Sequence, residues 1–289
     1  MPSSTENHFN IFEAHRPLLF SIAYRMLGSV MEAEDIVQET FLRFSGSALD
    51  TIESPKAFLS TITTRLCLDH LKSAKVSREA YIGPWLPEPL PTGDPATNPL
   101  EKYDMISMAA LVLLENLSPL ERAVFLLREV FDYGYGEIAA IVEKSEVNCR
   151  QVYHRAKQYL HQHRPRFEVS SADQHRLVNS FMQAVQGGEV ESLTSLLAED
   201  VTLWSDGGGK ASAARRPVVG PAQVARLLLV SYRKRPPNLQ IELVEVNGAL
   251  SILYRLESQV VGLLNLAGNE TGITDIWAVW NPDKLRHLA

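Results

Sequence analysis

The sequence predicts three parts: two all-α segments, then an α+β segment in which helices face a curved antiparallel sheet. Apolar residues recur at helical spacing through residues 9–75 and again through 100–166. Between them, residues 83–99 carry six prolines in 17 positions, which no helix tolerates. Beyond residue 170, one helical stripe is followed by strand-like runs around Asn247-Gly248, a strong hairpin signal.

Composition limits the class of protein. The chain has 289 residues and 45% hydrophobic residues, enough for two or three domains with real cores. It has no run of 18 apolar residues, and its first residues lack the charged and apolar regions of a secretory signal, so we expect no membrane contact. Cys67 and Cys149 lie far apart and neither belongs to a CxxC motif, so we expect no structural zinc site and no disulfide framework, and a reduced cytoplasmic setting is favoured. We expect no metal site and no cofactor.

The first helical segment contains a helix with two distinct faces. One apolar stripe comprises Ala33, Ile36, Val37, Phe41 and Phe44. The opposite face comprises Asp35, Gln38, Glu39 and Leu42. A solvated face is the ordinary interpretation of such a stripe, although one exposed leucine among acids hints at a partner surface. Ser54-Pro55 then starts a further helix that ends near Lys75.

The proline-rich segment reads as an extended linker, yet it contains Trp85 and Leu86. A flexible spacer has little use for a tryptophan. We therefore expect the stretch WLPEP to dock on another part of the chain.

The second helical segment contains a candidate helix-turn-helix. Ser118-Pro119-Leu120-Glu121 predicts a capped helix that runs to about Phe131. A short helix, EIAAIV, a turn at 143–145 and a basic helix from about Glu146 to His163 follow. Its core face comprises Cys149, Val152 or Tyr153, Ala156 and Leu160. The outward residues are then Asn148, Arg150, Gln151, His154, Arg155 and Lys157.

The chemistry of this outward face suits DNA, although an amphipathic helix with a solvated basic face has the same pattern. Net charge is −6, but residues 147–166 hold five basic residues and no acid. Arg can contact guanine and Asn or Gln adenine with paired hydrogen bonds, which suits Arg150, Asn148 and Gln151. Arg155 and Lys157 suit phosphates.

The C-terminal part offers weak support for catalysis. Asp275 lies in a predicted strand and Asp206 at a strand end, and no histidine occurs between Arg176 and Arg286. Without an acid and base pair we expect no enzyme. Four aromatic residues either line a pocket for a small apolar ligand or simply fill the core: Trp204, Tyr254, Trp277 and Trp280.

The stretch DGGGK, Asp206-Gly207-Gly208-Gly209-Lys210, admits three interpretations. The first interpretation is a phosphate-binding loop, although the stretch lacks the outer glycine and the Ser/Thr of that motif. The second is an ordinary tight turn. The third is a contact at which another segment approaches the glycine backbone closely. We favour the contact, with the proline-rich linker as its partner.

Three segments together resemble the extracytoplasmic-function sigma factors. AEDIVQETFLRF and SPKAFLSTITTRLCLDHLKSAK resemble region 2 of that family, and LSPLERAVFLLREVFDYGYGEIAAIVEKSEVNCRQVYHRAKQYL resembles region 4. The resemblance covers about residues 8–165 in the correct order. It implies binding to core RNA polymerase and recognition of two promoter elements.

The resemblance also assigns roles to residues of the first segment. The face formed by Asp35, Gln38, Glu39 and Leu42 would dock on the polymerase clamp. The loop Ser45–Glu53 and the helix after it would lie at the −10 element, where the family captures a flipped base. Outward candidates on that helix are Thr61, Thr64, Arg65, Asp69 and Lys72. Arg65 and Lys72 best suit the DNA backbone, and the base-capture residues stay unassigned.

WLPEP at 85–89, DGGGK at 206–210 and NPDKL at 281–285 resemble the subgroup with a fused C-terminal SnoaL/NTF2-like cone. In that subgroup the extension is thought to regulate the sigma factor in cis. The regulatory contact would comprise Trp85, Leu86, Pro87, Asp206, Gly207, Gly208, Gly209, Lys210, Asp283 and Lys284. Glycine amides would donate to linker carbonyls.

The resemblance divides the chain into region 2 at 1–75, the linker at 76–109, region 4 at 110–166 and the regulatory domain at 167–289. It implies a sigma factor whose partners are core polymerase and promoter DNA. Two alternatives stay open: a ligand-sensing helix-turn-helix regulator that does not bind polymerase, and a cone enzyme fused to a DNA anchor.

Overall fold

The structure, a computed structural model, describes residues 4–92, 106–163 and 171–288. Outside this range lie residues 93–105 of the predicted linker, the basic residues Arg164 and Arg166, and residues 167–170 and 289 of the predicted regulatory domain. The described chain forms two compact units. The first contains residues 4–79, 106 and 110–163, and the second contains 80–92, 107–109 and 171–288. The linker residues 80–92 thus belong to the second unit.

The first unit begins with three helices. They are α1 Ser4–Leu27, α2 Val30–Ser45 and α3 Pro55–Glu79, with a short 3-10 turn at Leu49–Thr51 before α3. Ser29 caps α2 through a 3.1 Å hydrogen bond from the amide of Glu32 to its hydroxyl. As predicted, the apolar side of α2 is inward: Ala33, Ile36, Val37 and Phe44 are buried, and Phe41 is half-buried.

Four more helices complete the helical part of the chain: α4 Met108–Glu115, α5 Pro119–Glu129, α6 Tyr135–Val142 and α7 Glu146–His163. Ser118 and Glu121 form the predicted capping box of α5. The turn between α6 and α7 starts at Glu143 in the left-handed conformation, with φ of 55°. The predicted bounds of α7 are confirmed.

Within the first unit, polar side chains join the two predicted helical regions. Arg122 of α5 is buried and donates to the carbonyl of Met26 at 2.6 Å. The Tyr133 hydroxyl donates to Ser60 of α3 at 2.7 Å. Since buried polar groups are costly unless bonded, these contacts fix how the two regions meet.

The second unit is α+β, as predicted. Its helices are α8 Ser171–Gly187, α9 Val190–Thr194 and α10 Pro221–Arg233. Its strands are β1 Leu197–Asp206, β2 Val218–Val219, β3 Leu239–Val246, β4 Ala249–Leu256, β5 Gln259–Asn269 and β6 Gly272–Val279. Two 3-10 turns follow, Pro282–Lys284 and Arg286–Leu288.

The sheet has the order β2-β1-β6-β5-β4-β3. Its strands pair antiparallel except β1 and β6, which are parallel. Asn247 and Gly248 both have positive φ, 53° and 69°, as the predicted two-residue hairpin turn between β3 and β4 requires.

One face of this sheet packs on α8 and α10. Phe181, Val224, Ile252 and Ile276 belong to this apolar core. No helix among the described residues is long and apolar enough to cross a bilayer.

The four aromatic residues considered for a ligand pocket do not lie together. Tyr254 and Trp280 pack against the core with ring centroids 5.3 Å apart. Trp204 and Trp277 pair with each other on β1 and β6, next to the core residues Leu203 and Ala278. Because side chains alternate between the faces of a sheet, this pair points to the other face.

Candidate nucleic-acid and polymerase faces and the linker contact

Helix α7 presents a polar face. Cys149, Val152, Tyr153 and Ala156 are buried and Leu160 is half-buried, which confirms the predicted core face. The six predicted DNA-facing residues are all exposed: Asn148, Arg150, Gln151, His154, Arg155 and Lys157. All six side chains of this predicted face are therefore accessible from solvent.

Acidic neighbours lie beside all three basic residues of this face. Arg155 lies 3.8 Å from Glu121. Arg150 donates to Glu146 at 3.1 Å. Lys157 lies 3.2 Å from Glu129 and 2.9 Å from the Tyr153 hydroxyl. The hydrogen bonds with Tyr153 and Glu129 raise the pKa of Lys157, and its side chain is positively charged at neutral pH. The hydrogen bond from Tyr153 lowers the pKa of Glu129.

The predicted −10 residues of α3 are placed unevenly. Asp69 and Lys72 are exposed and form a 2.9 Å ion pair. Thr61 is half-buried, and its hydroxyl donates to the Ala57 carbonyl at 2.7 Å. Thr64 is 0% exposed, so its prediction as an outward residue is wrong in this structure. The reason is that α3 packs against α1, α2, α5 and α6.

Arg65, one of the two best candidates for a DNA-backbone contact, is exposed but is bound to the end of α6. Its guanidinium donates to the carbonyls of Ile141 at 3.0 Å and Ala140 at 2.9 Å. It also lies 3.2 Å from Glu143. The last carbonyls of a helix have no partner within it and carry partial negative charge, so a cation stabilises them. Arg65 thus fills that role in this arrangement.

The exposed face of α2 includes an apolar residue that the sequence analysis missed. Asp35, Gln38 and Leu42 are exposed, Leu42 to 65%, and Glu39 is half-buried. Met31 is 49% exposed and lies one turn before Asp35 on the same side. Its spacing from Asp35 could have identified it, but the start of the helix had first to be known.

The second unit contains a buried carboxylate at the end of β1. Asp206 is 0% exposed. Its two oxygens accept from the Tyr81 hydroxyl at 2.5 Å, the Leu86 amide at 2.9 Å, the Gly208 amide at 3.0 Å and the Lys284 ammonium at 2.8 Å. A buried charge is tolerated when it is paired and fully hydrogen-bonded, and both conditions hold here.

Lys284 brings the linker and the end of the chain together. It is buried, and its ammonium also donates to the Leu86 carbonyl and lies 3.9 Å from the Trp85 ring centroid. Burial, and then the hydrogen bond to Asp206, raise the pKa of Tyr81, so that hydroxyl stays protonated and can donate. We refer to this group as the linker seam: Tyr81, Trp85, Leu86, Asp206, Asn281 and Lys284.

The glycines of DGGGK are in close contact, as expected. Gly208 has a φ of 56°, and a Cβ there would lie 2.3 Å from the Asn281 side-chain nitrogen. A Cβ at Gly209 would lie 2.8 Å from Ile82 of the linker. Since these distances exclude a side chain without movement, the loop depends on glycine.

The hydrogen bonds run differently from the expectation. The Leu86 carbonyl accepts from Lys284 rather than from a glycine amide, and the Leu86 amide donates to Asp206. The Gly208 amide instead donates to the carboxylate of Asp206 in the same loop. Lys210 and Asp283 form an exposed ion pair at the edge, which lowers the pKa of Asp283.

The linker has a second anchor that sequence reasoning missed. Leu90 and Asn247 exchange two hydrogen bonds, at 2.8 Å and 3.0 Å, and the Thr92 amide donates to the Glu245 carbonyl at 3.0 Å. The Gly248 amide donates to the Thr92 hydroxyl at 3.0 Å. The Asn247-Gly248 turn is thus also a docking point for the linker.

Comparisons with known proteins identify the family. Residues 11–76 match the family model described as Sigma-70 region 2, and residues 107–160 match Sigma-70, region 4. The chain is 38% identical over 287 residues to the ECF RNA polymerase sigma factor SigJ of Mycobacterium tuberculosis, covering 94% of this chain and 91% of that one. The chain belongs to the ECF RNA polymerase sigma factors.

Two further matches agree with this membership. The probable ECF sigma factor SigI of the same species is 31% identical, with 96% of this chain and 94% of that protein covered. The crystal structure of the M. tuberculosis sigma factor SigJ superposes with a TM-score of 0.77 at 34% identity, over 95% of this chain and 97% of that one. The similarity therefore includes the C-terminal unit of this sigma factor.

The family resemblance predicted from sequence is confirmed. The region 2 match spans most of α1 and all of α2, and ends within α3. The region 4 match spans α4 to α6 and most of α7. A sigma factor directs RNA polymerase to promoters, and a regulator that does not bind polymerase gains no support from these matches.

Proposed function

We propose that this sigma factor uses separate faces for polymerase and DNA, and that its linker seam regulates it in cis. It would act where RNA polymerase acts, in the cytoplasm. We leave a small apolar ligand out of the proposal because its four candidate aromatic residues lie on two faces of the sheet.

The exposed side of α2 is the proposed polymerase face. Asp35, Gln38 and Leu42 lie on one stripe, with Met31 at its start and Glu39 at its edge. Met31 and Leu42 place one exposed apolar side chain at each end of this stripe, with polar and acidic side chains between them. The face therefore offers a partner both apolar contact and charge.

The proposed DNA faces are on α3 and α7. In α7, Gln151 and His154 point almost directly away from the buried residues, which suits contact with base edges. Arg155 and Lys157 lie on the two flanks, which suits phosphates. Arg150 would give up its hydrogen bond to Glu146 in order to contact DNA. In α3, Asp69 and Lys72 are exposed, whereas Arg65 would first have to release α6.

The observation that supports regulation in cis is the buried Asp206 carboxylate bonded to the linker amide of Leu86 and to Lys284. The linker precedes region 4 in sequence, so its attachment limits where region 4 can go. Because the linker's prolines cannot supply internal hydrogen bonds, its position depends on such contacts. A change at the seam should therefore alter initiation without touching any DNA-facing residue.

Run-off transcription with core RNA polymerase tests this proposal. The template carries a promoter selected from a randomised library by the full chain and core polymerase together. We expect Asp206→Asn and Lys284→Met each to change transcript yield at least threefold at equal polymerase occupancy. Glu242→Gln, which removes half of a surface ion pair with Arg255 in the same unit, is the matched control.

Two results would contradict the proposal. If the full chain fails to support initiation with core polymerase, the assignment of its faces fails. If initiation is normal and proteolysis shows the linker released in Asp206→Asn while yield is unchanged, the seam has a structural role only.

A further inference from the structure

The recognition helix α7 carries an exposed apolar residue that no step so far has used. Val147 is the second residue of this helix, and its side chain is 65% exposed. Valine is a poor helix former because its branched Cβ loses rotamer freedom there. Single exposed apolar residues are ordinary on protein surfaces, so the position of Val147 among the DNA-facing residues decides what it can contact.

The position of Val147 around the helix is specific. The buried residues Cys149, Val152 and Ala156 define the inner side. At roughly 100° per residue, Val147 lies almost opposite the centre of that side, in line with Gln151 and His154. The exposed centre of the helix is thus a valine, an amide and an imidazole in successive turns.

Charged residues flank this central line. Arg150 and Lys157 lie to one side, and Arg155 lies to the other. Arg150 is held there by Glu146 and by the Tyr135 ring, whose centroid is 4.5 Å from its guanidinium carbon. Cations on both flanks match the two phosphate backbones that border a major groove, and the line between them would face base edges.

We propose that Val147 reads a thymine in the −35 element by packing against its C5-methyl group. In the major groove, the only apolar feature of the four bases is that methyl group, and small apolar side chains recognise it by contact. Gln151, one turn further along the same line, would contact a neighbouring base pair. This inference rests on the proposed role of α7 in DNA reading, and it specifies one base that the helix recognises.

Deoxyuridine differs from thymidine by this methyl group alone, which gives a direct test. A duplex is selected from a randomised −35 library by the full chain bound to core polymerase. Each thymine of the enriched element, on either strand, is then replaced singly by deoxyuridine. We expect one position at which the replacement weakens wild-type binding about fourfold, the factor for one buried methyl-sized group.

Variants assign that loss to the side chain. Val147→Ala, which removes both γ-methyl groups, should lose most of the preference for thymine over deoxyuridine at that position, and Val147→Thr, which keeps one of them, should retain more of it. Val230→Ala, at an exposed valine of α10, is the matched control and should behave as wild type. Alanine favours helices, so loss of folding is not expected, and circular dichroism checks it.

The outcomes separate this inference from the broader proposal. Sequence-specific binding that is insensitive to every deoxyuridine replacement, or equally sensitive in wild type and Val147→Ala, overturns the thymine contact alone. An enriched element without thymine also overturns it. Failure to enrich any sequence overturns the DNA-reading role of α7 together with it.

Discussion

The buried ion pair of the linker seam predicts a large effect for Lys284→Met. The substitution keeps the length of the side chain but removes its charge, so Asp206 loses its only cationic partner among the seam residues and the Leu86 carbonyl loses its donor. Removing one partner of a buried pair costs about 3–5 kcal/mol. Tyr81 and two amides still donate to Asp206, so we expect the lower end, about 3 kcal/mol.

Calorimetry of the full chain measures this loss. For a unit of this size, about 3 kcal/mol corresponds to a decrease in Tm of roughly 10 °C. Hydrogen exchange at the amides of β1 and β6 assigns the transition to the second unit. Arg255→Met is the matched control, because it removes the same charge from a half-buried pair with Glu242 and should cost only about 1 kcal/mol.

A double-mutant cycle decides whether the pair itself is responsible. Asp206→Asn alone leaves Lys284 charged and buried, so it should also destabilise the unit. In the double variant neither charge remains, and the total loss should fall short of the sum by at least about 1 kcal/mol. A single-variant loss below about 1 kcal/mol, or strict additivity, would refute the reasoning.

Three further predictions concern other parts of the protein. Gln151→Ala should weaken binding to the selected −35 duplex by roughly 1–3 kcal/mol and a scrambled duplex hardly at all, by fluorescence anisotropy; equal losses would exclude base reading. Asp35→Lys with Gln38→Ala should reduce capture by core polymerase while circular dichroism stays unchanged, and normal capture would count against the α2 face. Burial raises the pKa of Asp275, so its folded form holds the proton more tightly than the unfolded chain does. Stability of the second unit should therefore gain as pH falls from neutral toward the ordinary carboxyl pKa. In urea unfolding Asp275→Asn should lack this gain, and parallel pH profiles would show that another group is responsible.

Features set by neighbouring residues could be predicted from sequence. The bounds of α7, the capping box at Ser118 and the Asn247-Gly248 turn depend on contacts within a few positions. The exposed face of α7 followed from helical spacing alone. The family resemblance then supplied the order of the regions, which no local pattern could have given.

Features set by distant residues could not be predicted. Lys284 meets Asp206 across 78 positions, and Leu90 meets Asn247 across 157. The glycine run favoured a close contact at DGGGK but could not indicate which atoms would donate, because that depends on how the last turn of the chain packs. Thr64 was misplaced for the same reason: the helices that cover it lie far along the sequence.

The bond between Arg65 and the end of α6 has a consequence for promoter affinity. The −10 and −35 elements are centred about 25 base pairs apart, roughly 85 Å at 3.4 Å per base pair. On the proposed assignment, α3 lies at the −10 element and α7, which follows α6 directly, lies at the −35 element. Contact between α3 and α6 does not fit that spacing, so DNA would select molecules in which these two helices have separated. Apparent affinity is then the intrinsic affinity multiplied by the separated fraction, and every 1.4 kcal/mol or so of contact energy lowers it about tenfold. Any partner that holds the two helices apart would raise promoter occupancy without touching DNA itself.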